Sequence, residues 1–189
     1  VMAVNGKKKV LMLSDHALST SGVGVQSRFL INGLVDTGKY TFRQFGAAMK
    51  HQDYKVAKVN DDFIIKPTDG FGTPDMLRLA LATEKPDLVL IFTDPRFFHW
   101  LFSMEDEIHQ TCPIAYWHVW DNAPYPKFNE MYYEATDLIA CHSHHTYSQI
   151  HPRFPDKTHF VPHTVPNDVY FEFTPDQKKE AKQKWLPNK

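Results

Sequence analysis

The chain has 189 residues, enough for one domain with a hydrophobic core and slightly long if every residue is globular, so one domain plus a tail is expected. Lysine and arginine total 21 against 22 for aspartate and glutamate, with 11 histidines whose charge depends on pH, so net charge gives no strong signal for a nucleic-acid partner or a membrane surface. Cys112 and Cys141 each adjoin an apolar run and fit buried free thiols of a reducing compartment; no apolar run reaches membrane-span length and no signal-peptide core opens the chain, so a cytoplasmic location is expected.

The basic lead-in Lys7-Lys8-Lys9 runs into Val10-Leu11-Met12-Leu13, then into Ser14-Asp15-His16 and the small-residue stretch up to Gly24. Val23, Leu30, Ile31 and Leu34 follow at helical spacing, so the pattern predicts strand, glycine loop, helix. Two readings of the glycines stay open. Small residues and a helix N-terminus would let backbone N–H groups face a phosphate or another anion, and an ordinary strand-to-helix turn would need the same residues. A P-loop is excluded because no lysine follows Gly24 until Lys39. A dinucleotide fingerprint is disfavoured by Ser27 and by the lack of an acidic residue in Phe45–Lys50.

Further along, Tyr40–Phe45 alternates as a second strand, Lys50–Asn60 is polar and irregular, and Phe63-Ile64-Ile65 is a short strand ended by Pro67. Thr73 reads as an N-cap with Pro74 at the first helical position, opening a helix to about Glu84. Leu88–Phe92 is a continuous apolar run of the kind buried on both faces of a parallel sheet. Thr93-Asp94-Pro95 caps a helix with Phe97, Leu101, Met104 and Ile108 on one stripe, and Pro113–Trp120 is the next strand. The loop Asp121–Pro126 precedes a helix from Lys127 to Glu134, Asp137–Cys141 is a buried strand, and Ser143 caps a helix to about His151. His159-Phe160-Val161 is the last strand, and a charged helix spans Pro175–Trp185.

Strand and helix alternate throughout, so the expected class is α/β: a doubly wound, mainly parallel, Rossmann-like sheet with helices on both faces. Ligands of such sheets bind outside the carboxyl ends of the strands. One rim should therefore gather Asp15–Gly24, Thr93–Arg96, His118–Asp121 and His142-Ser143, with Trp117, Trp120 and Tyr125 as flat surfaces for a sugar or base. Each candidate also has a structural reading. His118, inside an apolar strand, needs a hydrogen-bond partner whether or not it faces a ligand, and Asp94 before a proline-started helix is also an N-cap. Cys141-His142-Ser143-His144-His145 does not make a convincing metal set: adjacent helical histidines diverge by about 100°.

Ser21-Gly22-Val23-Gly24, the strand ending in His118 with Asp121 beyond, Asp137–Ser143, and Phe160–Val165 leading to Phe171 and Pro175 together resemble the N-terminal half of GT-B glycosyltransferases, most closely the retaining family 4 group. The chain departs from that pattern at Ser21-Gly22, where a double glycine is common, and at Thr164-Val165-Pro166, where Gly-Val-Asp is common.

The resemblance implies a hexosyltransferase without a metal or cofactor, using a nucleotide-sugar donor and an unidentified acceptor. Residues 1–172 would form its Rossmann-like acceptor domain, and residues 173–189 a linker helix toward a missing C-terminal nucleotide-sugar domain. By position, Gly22, Val23 and Gly24 would approach the donor diphosphate, His118 would be the catalytic position beside the transferred sugar, and Asp94, Arg96, Asp121, Tyr125 and Ser143 would line the substrate side. The isolated chain would then fold without catalysing transfer. A non-catalytic α/β ligand-binding or scaffold module is the alternative. A hydrolase is disfavoured because no Gly-x-Ser-x-Gly elbow occurs. Trp185 among Lys178, Lys179, Lys182 and Lys184 points to an absent partner domain, with peripheral membrane contact as the competing explanation and a solvated linker as the third reading.

Overall fold

Periodicity and capping account for most element boundaries in the computed structural model, which describes residues 6–48 and 55–186. Strand β1 (Lys8–Asp15) leads through the glycine loop to helix α1 (Gly22–Asp36), β2 (Tyr40–Ala47), β3 (Ala57–Asn60) and β4 (Phe63–Pro67). Helix α2 (Pro74–Glu84) starts where the sequence places its cap: the Thr73 hydroxyl accepts the Met76 N–H, and Pro74 fills the first turn. Then come β5 (Leu88–Thr93), α3 (His99–Phe102), α4 (Glu105–His109), β6 (Ile114–His118), α5 (Glu130–Glu134), β7 (Leu138–Cys141), α6 (His144–Ile150), β8 (Thr158–Phe160) and α7 (Pro175–Trp185).

The eight strands form one sheet in the order β3-β4-β2-β1-β5-β6-β7-β8. Every neighbouring pair is parallel except β3 with β4. The fold is therefore α/β with a mainly parallel, Rossmann-like sheet, and the apolar runs at Val10, Leu88, Ile114 and Leu138 are consecutive parallel neighbours. The two faces are covered unequally. Leu11, Leu13, Val89, Ile91, Ile114 and Tyr116 pack under α2–α6. Opposite them, Val10, Met12, Phe42, Ile65, Phe92 and Trp117 pack against Ile31, Leu30 and Leu34 of the single helix α1.

Three local expectations are corrected. The irregular stretch Lys50–Asn60 lies outside the described residues up to 54, but from Ala57 it forms the antiparallel edge strand β3. The single helix expected after Asp94 is a 3-10 turn (Pro95–Phe98) followed by the two short helices α3 and α4. A straight helix would bury the stripe 97/101/104/108 and expose Phe98 and Phe102. Breaks at Phe98 and Met104 bury both phenylalanines together with Leu101, Met104 and Ile108, and leave Phe97 half exposed. Likewise the helix expected from Lys127 is a 3-10 turn (Lys127–Asn129) before α5.

Beyond β8 a largely exposed segment with a turn after Pro166 leads to α7, which has no buried residue and leaves Trp185 73% exposed. Among the described residues, no helix is long and apolar enough to cross a membrane.

Candidate functional site

The strand order reverses between β1 and β5: from β1 the chain steps outward to β2 and β4, then returns to β1's other side. In open α/β sheets this reversal opens a crevice at the strands' carboxyl ends, here between the loops that follow Asp15 and Thr93. Both loops carry residues singled out from the sequence.

The β1 loop is internally braced. Gln44, buried on β2, donates to the Ser14 hydroxyl (2.6 Å) and the Asp15 carbonyl (2.9 Å), and its side-chain oxygen accepts the Ala17 N–H (3.0 Å). The Ser21 hydroxyl donates to the buried Asp15 carboxylate (2.6 Å) and, as the α1 N-cap, accepts the Gly24 N–H (2.9 Å). The two glycines have different jobs. A Cβ on Gly24 would lie 2.5 Å from the His16 carbonyl oxygen, so Gly24 is buried because the loop folds back on it. A Cβ on Gly22 would meet nothing within 4 Å; Gly22 is exposed, with Val23 half-buried beside it. Of the expected trio, Gly22 is exposed at the helix N-terminus, Val23 is half-buried against the core under α1, and Gly24 is enclosed by the loop.

Beyond β5, Asp94 and Arg96 close on each other. Asp94 caps the 3-10 turn by accepting the Arg96 N–H (2.9 Å), and its carboxylate holds the guanidinium at 2.9 and 2.5 Å. Burial pushes this carboxyl up, but the hydrogen bonds and charge of Arg96 outweigh it and hold Asp94 below its usual range. The guanidinium lies 5.9 Å from the Trp120 ring, which also has Phe128 edge-on at 5.6 Å and His118 stacked at 6.2 Å. With Asp121, Asn122, Tyr125 and Lys127, these residues line a groove of about 720 Å³. Asp94, Arg96, Asp121 and Tyr125 are thus brought together. A smaller hollow of about 230 Å³ lies on α7 between Phe173 and Trp185, away from these loops.

His118, expected beside the transferred sugar, lies buried beneath the rim. It is fully buried, with Nδ1 2.7 Å from the Tyr116 hydroxyl and Nε2 2.7 Å from the Tyr133 hydroxyl. Tyr116 donates its own proton to the Thr93 carbonyl (2.8 Å), so it accepts from His118 Nδ1–H, and Nε2 accepts from Tyr133. Burial, with His142 nearby, lowers the His118 pKa to about 3 against a small opposing effect of Asp94; the imidazole is neutral. Trp117, expected as a flat binding surface, is also buried; its indole donates to the Val161 carbonyl (2.9 Å).

Ser143 is the N-cap of α6, accepting the Thr146 N–H (3.1 Å), which accounts for its hydroxyl without a ligand. Nearby, His142 Nδ1 pairs with the His118 carbonyl (2.8 Å), and His163 packs against Phe92, Trp117 and His142. Burial, then His142, lowers the His163 pKa to about 4. Among the described residues, no group of three or more histidine, cysteine, aspartate or glutamate side chains is placed to hold a metal ion.

Sequence reasoning missed Gln44 and Phe128. Gln44 had a signal: it shares strand parity with the buried Phe42, so it is a polar residue at an inward position. Thr146 had none, since its hydroxyl donates to the Trp120 carbonyl from an element 26 residues away. That bond turns the chain out of β6 after His118 and presents Trp120 to the groove. No family model matches the chain, and no curated protein matches it significantly.

Proposed function

We propose that the chain is the acceptor-side, Rossmann-like half of a retaining GT-B glycosyltransferase that moves a hexose from a nucleotide sugar to an acceptor. The observation that carries this reading is the open N-terminus of α1. Gly22 stands exposed at the carboxyl end of β1, beside the reversal of strand order, with no atom within 4 Å of the space a side chain would take. Free N–H groups and the helix dipole there suit a diphosphate, and an anion at such a terminus gains about 0.3–1 kcal/mol, up to about 2 when partly buried. That stabilisation grows as charge builds on the departing diphosphate, which makes it useful at the transition state.

In this reading Gly22 and Val23 meet the donor diphosphate while the groove of Asp94, Asp121, Tyr125 and Trp120 takes the acceptor. His118 contributes through position: neutral and hydrogen-bonded to Tyr116 and Tyr133, it fixes the end of β6 from which Trp120 projects. The remaining donor contacts belong to a nucleotide-sugar domain, without which most of the proximity gain is lost.

A non-catalytic binding module is the second reading. It is favoured by the pairing of Asp94 with Arg96 and the burial of His118, which withdraw three chemistry-bearing groups from the rim. A nucleotide-release assay over a panel of nucleotide sugars separates the two. It is run on the 189-residue chain and on that chain together with any sequence encoded after Lys189. Transfer by the longer protein, with retention at the anomeric carbon, is the expected result; nucleotide-sugar binding without turnover in both supports the module. Robust turnover by the short chain sinks the half-enzyme reading.

A further inference from the structure

We propose that the groove between Asp94 and Phe128 is a saccharide subsite that seats two or three sugar rings against Trp120; this rests on the transferase reading and assigns its acceptor class. The volume, about 720 Å³, lies within the range of about 300–1,000 Å³ typical of small-ligand sites. Its wall is an aromatic corner: the Phe128 ring stands at 65° to that of Trp120, so an apolar face and an apolar edge meet at the floor. A pyranose presents the matching shape, C–H groups on its flat face and hydroxyls around its rim. Asp121 and Asn122 border that corner and can exchange hydrogen bonds with hydroxyls.

Charge selects between a saccharide and a polyanion. Asp94 and Asp121 are balanced by Arg96 and Lys127, and the Arg96 guanidinium is already engaged by Asp94 at 2.5–3.1 Å. A nucleic-acid strand on the same aromatic surface needs surplus cations along its phosphates, which a balanced groove does not supply. An uncharged, hydroxyl-rich ligand needs none.

The site is also preorganised. Thr146 holds the Trp120 carbonyl, Arg153 lies 4.2 Å from the Tyr125 ring centre, and Pro126 is buried, so little ordering is left for binding to impose.

The test titrates maltotriose, cellotriose and chitotriose into the 189-residue chain, following the indole N–H resonances of Trp120 and Trp185 by NMR, with oligothymidine as a parallel arm. At least one trisaccharide should shift Trp120 with millimolar affinity and leave Trp185 in place, and the surface change Phe128→Ala should weaken it by about tenfold. No response to any trisaccharide, a response unchanged in Phe128→Ala, or oligothymidine displacing the sugar from Trp120 overturns the proposal. Trisaccharide binding in a protein that turns over no nucleotide sugar supports the subsite and counts against the transferase. Turnover without trisaccharide binding does the reverse.

Discussion

His118 Nε2 lies 2.7 Å from the Tyr133 hydroxyl, which joins the last residue of β6 to α5 in the interior. His118→Ala removes the acceptor of a buried hydroxyl and opens a cavity at once, so it should cost about 2–4 kcal/mol of unfolding free energy. His118→Gln keeps a donor and an acceptor and should recover part of that loss. Urea melts with unchanged m-values check both. If His118→Ala is as stable as wild type but transfers no sugar in a complete enzyme, the residue meets substrate directly and the buried arrangement does not describe the working state.

The same histidine sets a dependence on pH. Its pKa falls from 6.5 to about 3 on folding, so below pH 6.5 the unfolded chain binds a proton that the folded chain refuses. Stability is therefore fully present above about pH 6.5 and declines by about 1.4 kcal/mol per pH unit as the pH drops toward 3. His163, with its pKa lowered to about 4, adds to the decline in the same direction. Glu84 and Asp94, held below their usual values, contribute only at the acidic end of the range. Chemical denaturation at pH 7, 6, 5 and 4 should show this slope, and His118→Gln should flatten it; equal slopes in the two proteins would rule out His118 as its source.

The paired glycines predict opposite outcomes. Gly24→Ala forces a methyl against the His16 carbonyl, 2.5 Å away, and should destabilise by about 1–3 kcal/mol or displace the loop. Gly22→Ala meets no neighbour and adds a better helix former, so the melting temperature should hold or rise. If α1 receives the donor diphosphate, Gly22→Ala should still weaken nucleotide-sugar use. Unchanged donor kinetics leave Gly22 as a turn residue and remove the anion-site reading.

The parallel sheet was legible because its central strands are continuous apolar runs: Leu88–Phe92 and Ile114–Trp117 can only be buried on both faces. The caps Thr73 and Ser143 were equally visible, Thr73 standing before Pro74 and Ser143 just after the buried run that ends at Cys141. Strand β3 was not, because Ala57–Asn60 is a largely exposed edge with one antiparallel partner and no alternation to betray it. The broken helix after Asp94 was hidden because local periodicity cannot weigh Phe98 and Phe102 against the 97/101/104/108 stripe; tertiary burial decides that. Of the site, the rim loops were readable from strand ends. Whether His118 faces out or in depends on Tyr133, which lies 15 residues away on another element, and no spacing rule reaches it.

One side chain of α1 reaches across the rim to the segment after β8. Gln26 on α1 donates to the Thr164 carbonyl (2.8 Å) and accepts the Thr164 N–H (3.3 Å), a two-way clasp between the glycine-loop helix and residues that otherwise run exposed. Because both bonds are solvent-exposed, Gln26→Ala should change global stability by no more than about 1 kcal/mol. Locally the effect should be larger: the Thr164 amide loses its acceptor and should exchange hydrogen faster. The amide of Val161, bonded to the Cys141 carbonyl at 2.9 Å within the sheet, should keep its wild-type protection. Residue-resolved hydrogen exchange reads both positions in one experiment. Faster exchange at Thr164 alone identifies Gln26 as the clasp, whereas equal rates in the two proteins would show that the packing of His163 against Trp117 and Phe92 holds the segment without it.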